Sequence, residues 1–273
     1  MTLEGATRRL YSATPTRLLT WLDCPRRYRM TYLDRPRPVR SGSWAHTSVG
    51  SAVHQAMSDW FALPIPERTP GAAGRLVKAR WQVEGFRDAS QSARWQVRIA
   101  DEVAAYAQTQ DPRSEPIGVE RTVAARTTTL ALSGRIDRLD DRDGELVVVD
   151  YKTSRRPLGP DDARTSLALA VYAVGAAGVF RRACTVVELH HVPTGDVVRH
   201  DHTPESLRRK VDEAESIAAD LIRADAGHAA GTSDDAVFAP RTGPLCGWCD
   251  MRPHCPEGQL ASSAREPWSA LEP

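Results

Sequence analysis

One dipeptide constrains this chain more than any other feature. Asp143-Gly144 stands between two runs of alternating apolar and polar residues, 133–142 and 145–154. A two-residue hairpin loop of type I′ needs positive φ at both central positions, which Asp-Gly accepts at little cost. Such a turn fixes a register in which Arg142 faces Glu145 and, counting outward, Asp137 lies directly across from Asp150. Period two then puts Asp137, Asp150 and Lys152 on one sheet face and turns Val149 and Tyr151 to the other. Opposed side chains have Cβ atoms about 4.5 to 5.5 Å apart, and like charges there repel, so the two carboxylates call for a cation. With an ammonium beside them they suit a hard, oxygen-ligated Mg²⁺ or Mn²⁺. The plainer alternative is a surface hairpin whose aspartates pair with Arg135 and Lys152. Against it, residues 146–149 are apolar on both faces, as in a buried strand. Lysine is also scarce, with Lys78, Lys152 and Lys210 the only three among 36 basic residues, and an ammonium is a compact charge that a guanidinium does not replace.

Around this hairpin the pattern predicts an α/β chain. Three successive strands are expected over 117–126, 129–139 and 145–153, and two more over 185–192 and 196–201, joined by a turn at Thr194-Gly195. Helices are expected from Ser12 to Cys24, from Ser48 to before Pro64, and over 75–110, 161–177 and 204–226, with Arg35-Pro-Arg-Pro as an extended linker. The hydrophobic fraction of 41% and charged fraction of 26% fit a globular protein, and no apolar run approaches the roughly 18 residues of a membrane span. The first residues lack the apolar stretch of a secretory signal, so the expected setting is the reducing cytoplasm and the five cysteines are not expected to form disulfides. A net charge of +1 gives no overall nucleic-acid signature. Residues 8–40, however, carry nine arginines against Asp23 and Asp34, a segment able to follow a phosphate backbone. There is no phosphate-binding G-x-x-x-x-G-K-[ST] loop and hence no helicase motor.

Gly134-Arg-Ile-Asp137-Arg together with Val-Val-Asp150-Tyr-Lys152-Thr resembles the signature of the PD-(D/E)XK nucleases in its RecB-family form. Gly50-Ser-Ala-Val-His54-Gln resembles the helix that supplies that family's metal-binding histidine, and residues 12–17 with Cys24-Pro-Arg-Arg-Tyr28 resemble its N-terminal segment. The resemblance implies a restriction-endonuclease-like core, a central mixed sheet flanked by helices. It implies that His54, Asp137, Asp150 and the Tyr151 backbone carbonyl bind the metal and that Lys152 orients the attacking water. Glu120 matches a frequently acidic family position and ranks below these. One departure stands out: the family's Gln-x-x-x-Tyr helix has Ala168 four residues before Tyr172.

The C-terminal part is rich in Gly, Pro and Cys. Cys246, Cys249 and Cys255, in C-x2-C-x5-C spacing, allow three thiolates of a tight loop to converge on one centre, with Cys24 the natural fourth. The iron–sulfur nucleases of the same family, among them CRISPR adaptation exonucleases and RecB-like helicase–nuclease subunits, share this one-plus-three pattern, so the resemblance implies a structural [4Fe–4S] cluster. A Cys₄ zinc site, or a Cys₃His site using His254, is the rival. Cys184 reads as a buried thiol. The expected organisation is a single nuclease domain over 1–273, with a helical part to residue 115, a core over 116–226 and a cysteine-rich tail from 227. The expected activity is metal-dependent exonucleolytic hydrolysis of DNA at single-stranded ends, in repair, recombination or CRISPR adaptation, with a helicase or CRISPR adaptation partner. The alternatives are a weakly active or non-catalytic DNA-binding assembly subunit, favoured by Ala168, and a zinc-stabilised hydrolase acting on something other than DNA.

Overall fold

Asp143 (φ 52°) and Gly144 (φ 92°) both take the left-handed conformation that the hairpin requires. The computed structural model describes residues 10–232 and 235–271. Among these, six strands form one mixed sheet: β1 (Tyr11–Ala13), β2 (Gly118–Arg126), β3 (Leu130–Arg142), β4 (Glu145–Lys152), β5 (Val186–His191) and β6 (Asp196–Asp201). The central path runs β1-β3-β4-β5-β6, with β2 pairing β3. Strands β1 and β3 are parallel, as are β4 and β5, and the remaining pairs are antiparallel.

Leu146, Val147, Val148 and Val149 are all fully buried, because helices cover both faces of β4. On one face α3 (Ala45–Ala62), α4 (Pro70–Ala79) and α5 (Ala89–Gln108) pack Trp60, Val103 and Tyr106 against Val147, Val149 and Tyr151. On the other, α7 (Leu167–Phe180), which follows the short α6 (Asp162–Thr165), packs Leu169 and Ala173 against Ile136, Leu146 and Val148. A third cluster ties α1 (Pro15–Asp23) and α2 (Pro25–Tyr32) to α8 (Pro204–Ala229) through Leu18, Trp21, Tyr28 and Leu221. The tail adds α9 (Pro256–Ala261). No helix of the described residues is long and apolar enough to cross a membrane.

The expected elements recur with shifted ends. The first helix begins at Pro15, because Thr14 rather than Ser12 caps it, accepting the Arg17 N–H at 3.2 Å, and residues 11–13 instead form β1 beside β3. Helix α3 starts at Ala45, ahead of Ser48. The stretch 75–110 divides into α4 and α5 around Gly85 (φ 85°), and 161–177 divides at Ser166, whose hydroxyl accepts the Leu169 N–H at 3.2 Å. The arginine-rich segment is used largely inside the molecule. Arg17 pairs with Asp225 (2.8 Å), Arg26 donates to the Phe238 carbonyl (3.0 Å), Arg27 pairs with Asp250 (3.0 Å) and Arg29 with Asp34 (2.9 Å). Arg17, Arg26 and Arg27 thus fasten the N-terminal helices to α8 and the tail, and Arg29 braces the end of α2, which leaves few to follow a phosphate backbone; Arg8 and Arg9 lie outside the described residues.

Candidate active site

The candidate site forms where the sheet forks. Along one edge β3 pairs with β2 from Ala131 to Leu139; along the other it pairs with β1 at Leu130–Leu132 and with β4 from Arg138 to Arg142. The β3–β4 ladder keeps the register set by the turn up to Arg138–Val149 and ends there, while β4 continues alongside β5 to Lys152. Asp137 and Asp150 would form the next rung. Instead, Asp137 Oδ2 accepts the Tyr151 N–H at 2.8 Å, so a side chain replaces a backbone partner and the carboxylates sit in the opening of the fork.

Helix α3 brings His54 to this opening, its Nδ1 3.2 Å from Asp137 Oδ1 and 3.9 Å from Glu120 Oε1. Among the described residues, His54, Glu120 and Asp137 are the one group of three whose ligand atoms all lie within 4.8 Å of one another. Asp150 stands beside them with its Oδ2 2.6 Å from Lys152 Nζ. The Asp150 carboxylate is only 14% exposed, whereas the Lys152 side chain is 44% exposed and open to whatever enters the fork. The Tyr151 ring points the other way, into the core, where its hydroxyl accepts from Arg138 at 3.1 Å. Four of the expected site residues are thus brought together: His54, Asp137, Asp150 and Lys152.

Glu120 belongs to the group more closely than sequence reasoning ranked it. It lies between the rungs Val119–Arg138 and Arg121–Ile136, across from Asp137, with φ 47°. A non-glycine residue held at positive φ is strained, and such strain gathers at functional sites. Nothing in the local sequence marks that conformation. Arg135 Nε holds the other Glu120 oxygen at 2.6 Å. Tyr172 of α7 also reaches the site, because Gly134 has no Cβ: one built there would come within 2.4 Å of the Tyr172 ring.

The electrostatics are those of crowded anions. Burial, then the Asp137 charge, raises Glu120 above the ordinary glutamate value, and burial likewise raises Asp150, opposed by Lys152 and reinforced by Asp137. Burial works against a charged His54, yet its hydrogen bond and proximity to Asp137, with Asp150 and Glu120 nearby, raise it overall. Tyr172 is pushed up to about 12 by burial and by the same two aspartates. Three carboxylates, an imidazole and an ammonium around one opening suit a divalent cation, whose charge would relieve each of these shifts.

A second group lies at the tail. Cys24, at the junction of α1 and α2, lines a cavity of about 530 Å³ together with Cys246, Cys249, Cys255, Met30 and Met251. Burial raises the Cys249 and Cys255 thiols, and the Gly258 N–H donates to Cys255 Sγ at 3.3 Å. His254 is turned elsewhere, its Nε2 2.8 Å from the Val39 carbonyl oxygen. Cys184 is buried apart from this cavity, its thiol 3.6 Å from the Leu146 carbonyl.

The sequence model of the PD-(D/E)XK nuclease superfamily matches residues 12–256. No curated protein matches the sequence. Among solved structures, a protein from Eubacterium rectale described provisionally as an exonuclease is similar in fold, with a TM-score of 0.53 and 13% identity over 93% of this chain and 92% of that one. A second, SSO0001, is 12% identical over 92% of this chain and 88% of that one at a TM-score of 0.41.

Proposed function

The chain belongs to the PD-(D/E)XK nuclease superfamily, and from that premise we propose that it is a divalent-metal-dependent DNA exonuclease of RecB type, acting on single-stranded ends. The observation that carries the reading is the fork, where His54, Glu120 and Asp137 converge beside the Asp150–Lys152 pair. In this reading His54, Asp137, Asp150 and the Tyr151 carbonyl hold Mg²⁺ or Mn²⁺, with Glu120 as a further acidic contact. The ion, when bound, supplies positive charge against the phosphate and activates water. Lys152 holds a water in line with phosphorus through its exposed ammonium and stabilises the charge that develops as the P–O bond to the leaving strand breaks. Asp150 orients the Lys152 ammonium across their 2.6 Å contact. Tyr172 occupies the wall that the family's Gln-x-x-x-Tyr helix provides, without the glutamine, since Ala168 stands in its place.

The cysteines fit a resident metal group by donor chemistry, with four thiols around one cavity. In this reading the group is a [4Fe–4S] cluster, with a structural zinc ion on the same cysteines as the alternative. Such a group would cross-link the two ends of one nuclease unit. The reading places the chain in DNA repair, recombination or CRISPR adaptation, beside a helicase or adaptation partner. Its test is an assay on end-labelled single- and double-stranded DNA with Mg²⁺, Mn²⁺ or EDTA. Release of mononucleotides or short fragments from single strands, dependent on the ion and lost in Asp150→Asn, is expected. Equal release from Asp150→Asn would sink it.

A further inference from the structure

Trp44, His46 and Trp248 come from distant parts of the chain, the start of α3 and the cysteine tail, yet their rings meet. Trp44 and Trp248 have centroids 5.1 Å apart at 50°, and His46 lies 6.1 Å from Trp44 and 5.9 Å from Trp248. Together with Arg27, Arg40 and Asp250 they line a cavity of about 500 Å³. The group does not resemble core packing. His46 is exposed, both indoles are only half-buried, and the remaining lining is Ser, Gly and Thr with no aliphatic side chain.

The cavity is positively biased. Arg27 and Arg40 share the single carboxylate of Asp250, at 3.0 and 3.5 Å, and the Arg40 side chain is 59% exposed. Asp23 approaches Arg27 at 4.0 Å from outside the cavity. It also adjoins the candidate active site on two sides. His46 lines a neighbouring cavity that contains Lys152, and Thr47 lines another that contains His54 and Glu120. Along α3, His46 and His54 are eight residues apart, a rise of about 12 Å, within reach of one short stretch of an extended single strand.

We propose that this cavity is a nucleobase-stacking site, in which one unpaired base of the DNA strand lies against Trp44 and Trp248 while Arg40 meets an adjacent phosphate. The inference deepens the nuclease reading and rests on it for the identity of the ligand. Ring faces recognise bases irrespective of sequence, and only an unstacked base offers its face, so the site selects single strands. Trp248 lies between Cys246 and Cys249, so the metal-binding tail supplies part of the substrate groove.

The test uses the full-length protein in EDTA with a 12-nucleotide oligodeoxythymidylate carrying one 2-aminopurine, moved one position at a time, whose fluorescence falls on stacking. Quenching confined to one or two adjacent positions is expected, with none for the matching duplex. Trp44→Leu with Trp248→Leu should abolish that quenching and weaken binding roughly 5- to 150-fold, the range for loss of one stacked base. Trp44→Phe should retain it. Arg40→Gln should weaken binding and reduce its salt dependence by about one ion. With Mg²⁺ or Mn²⁺ the double variant should raise KM with little change in kcat. Iron content and thermal melting identify any variant that has lost the tail, in which case Trp44→Leu and Arg40→Gln decide. Quenching and affinity that survive these substitutions, or equal quenching in duplex, overturn the stacking site while leaving cleavage by the unsubstituted protein to stand. Failure of that protein to cleave any DNA overturns the nuclease reading, and the quenching profile then judges the stacking site alone.

Discussion

The carboxylate fork and the cysteine cavity are assembled in opposite ways. Asp137, Asp150 and Lys152 lie within sixteen residues on one hairpin, and the fork gathers groups that repel one another. Cys24 and Cys246 are more than 220 residues apart, and their cavity joins groups whose union closes nearly the whole chain. A site of the first kind is held in place by a sheet that would be stable without it. A site of the second kind would contribute to stability itself once a metal group joined its thiols, because a cross-link removes conformations from the unfolded chain. Substitutions should therefore separate into losses of activity without unfolding and losses of stability that carry activity with them.

The largest expected effect is at the fork. Lys152→Ala and Asp150→Asn should each lower the initial rate on end-labelled single-stranded DNA by about a thousandfold or more, some 4 kcal/mol of barrier. Asp150→Asn should move the melting temperature by no more than about 2 °C, since it removes one of the crowded carboxylate charges, whereas Lys152→Ala strips the ammonium from the buried Asp150 carboxylate and should lower it by a few degrees. A large fall in melting temperature would break the contrast. Lys152→Arg should rescue poorly, a planar guanidinium being a bulky substitute for an ammonium.

Next comes the tail. Cys24→Ser should lower stability by about 3 kcal/mol, in the range of a lost long-loop cross-link, and should deplete iron measured by elemental analysis. Near-stoichiometric zinc without iron in the unsubstituted protein would replace the cluster reading with a zinc site.

A smaller effect sharpens the claim that the sheet holds the fork. Beneath it, on the α5 face, Glu188 accepts from Arg142 at 2.8 Å and lies 2.9 Å from His190 Nε2, whose ring in turn meets the Tyr106 hydroxyl at 2.6 Å. Burial alone would raise Glu188, but these partners bring it down from 4.5 to about 2. The folded value lies below the unfolded one, so this contribution is complete above about pH 4.5 and is lost as pH falls toward 2. Glu188→Gln should cost about 2 kcal/mol at neutral pH, less than the full penalty of a broken buried pair because Arg142 keeps Asp140 and reaches solvent. It should also flatten the fall in melting temperature between pH 4.5 and 2. An unchanged acid profile would show that Glu188 does not support the sheet.

The smallest effect is at Cys184. Cys184→Ser keeps a donor near the Leu146 carbonyl and should cost about 1 kcal/mol, with iron content unchanged. Loss of iron would mean that the cavity at the tail is not the whole of the cysteine site.

The hairpin was legible in the sequence because its information is local. A two-residue turn with a fixed demand on φ sets the register of everything near it, and four consecutive apolar residues announce a strand covered on both sides. That was enough to place Asp137, Asp150 and Lys152 together. The spacing of the tail cysteines was legible for the same reason.

Tertiary structure decided the rest. No local pattern indicates that β4 leaves β3 for β5 after Val149, that Asp137 then takes the Tyr151 N–H, or that Glu120 is held at positive φ across from it. The three-residue strand β1 and the meeting of Trp44 with Trp248 depend on contacts between segments more than 100 residues apart. Backbone dihedrals and side-chain alternation are set within a few residues, so the sequence determined the hairpin and its charges. Which distant segments meet depends on the collective burial that offsets loop-closure entropy, and only the folded chain settles it.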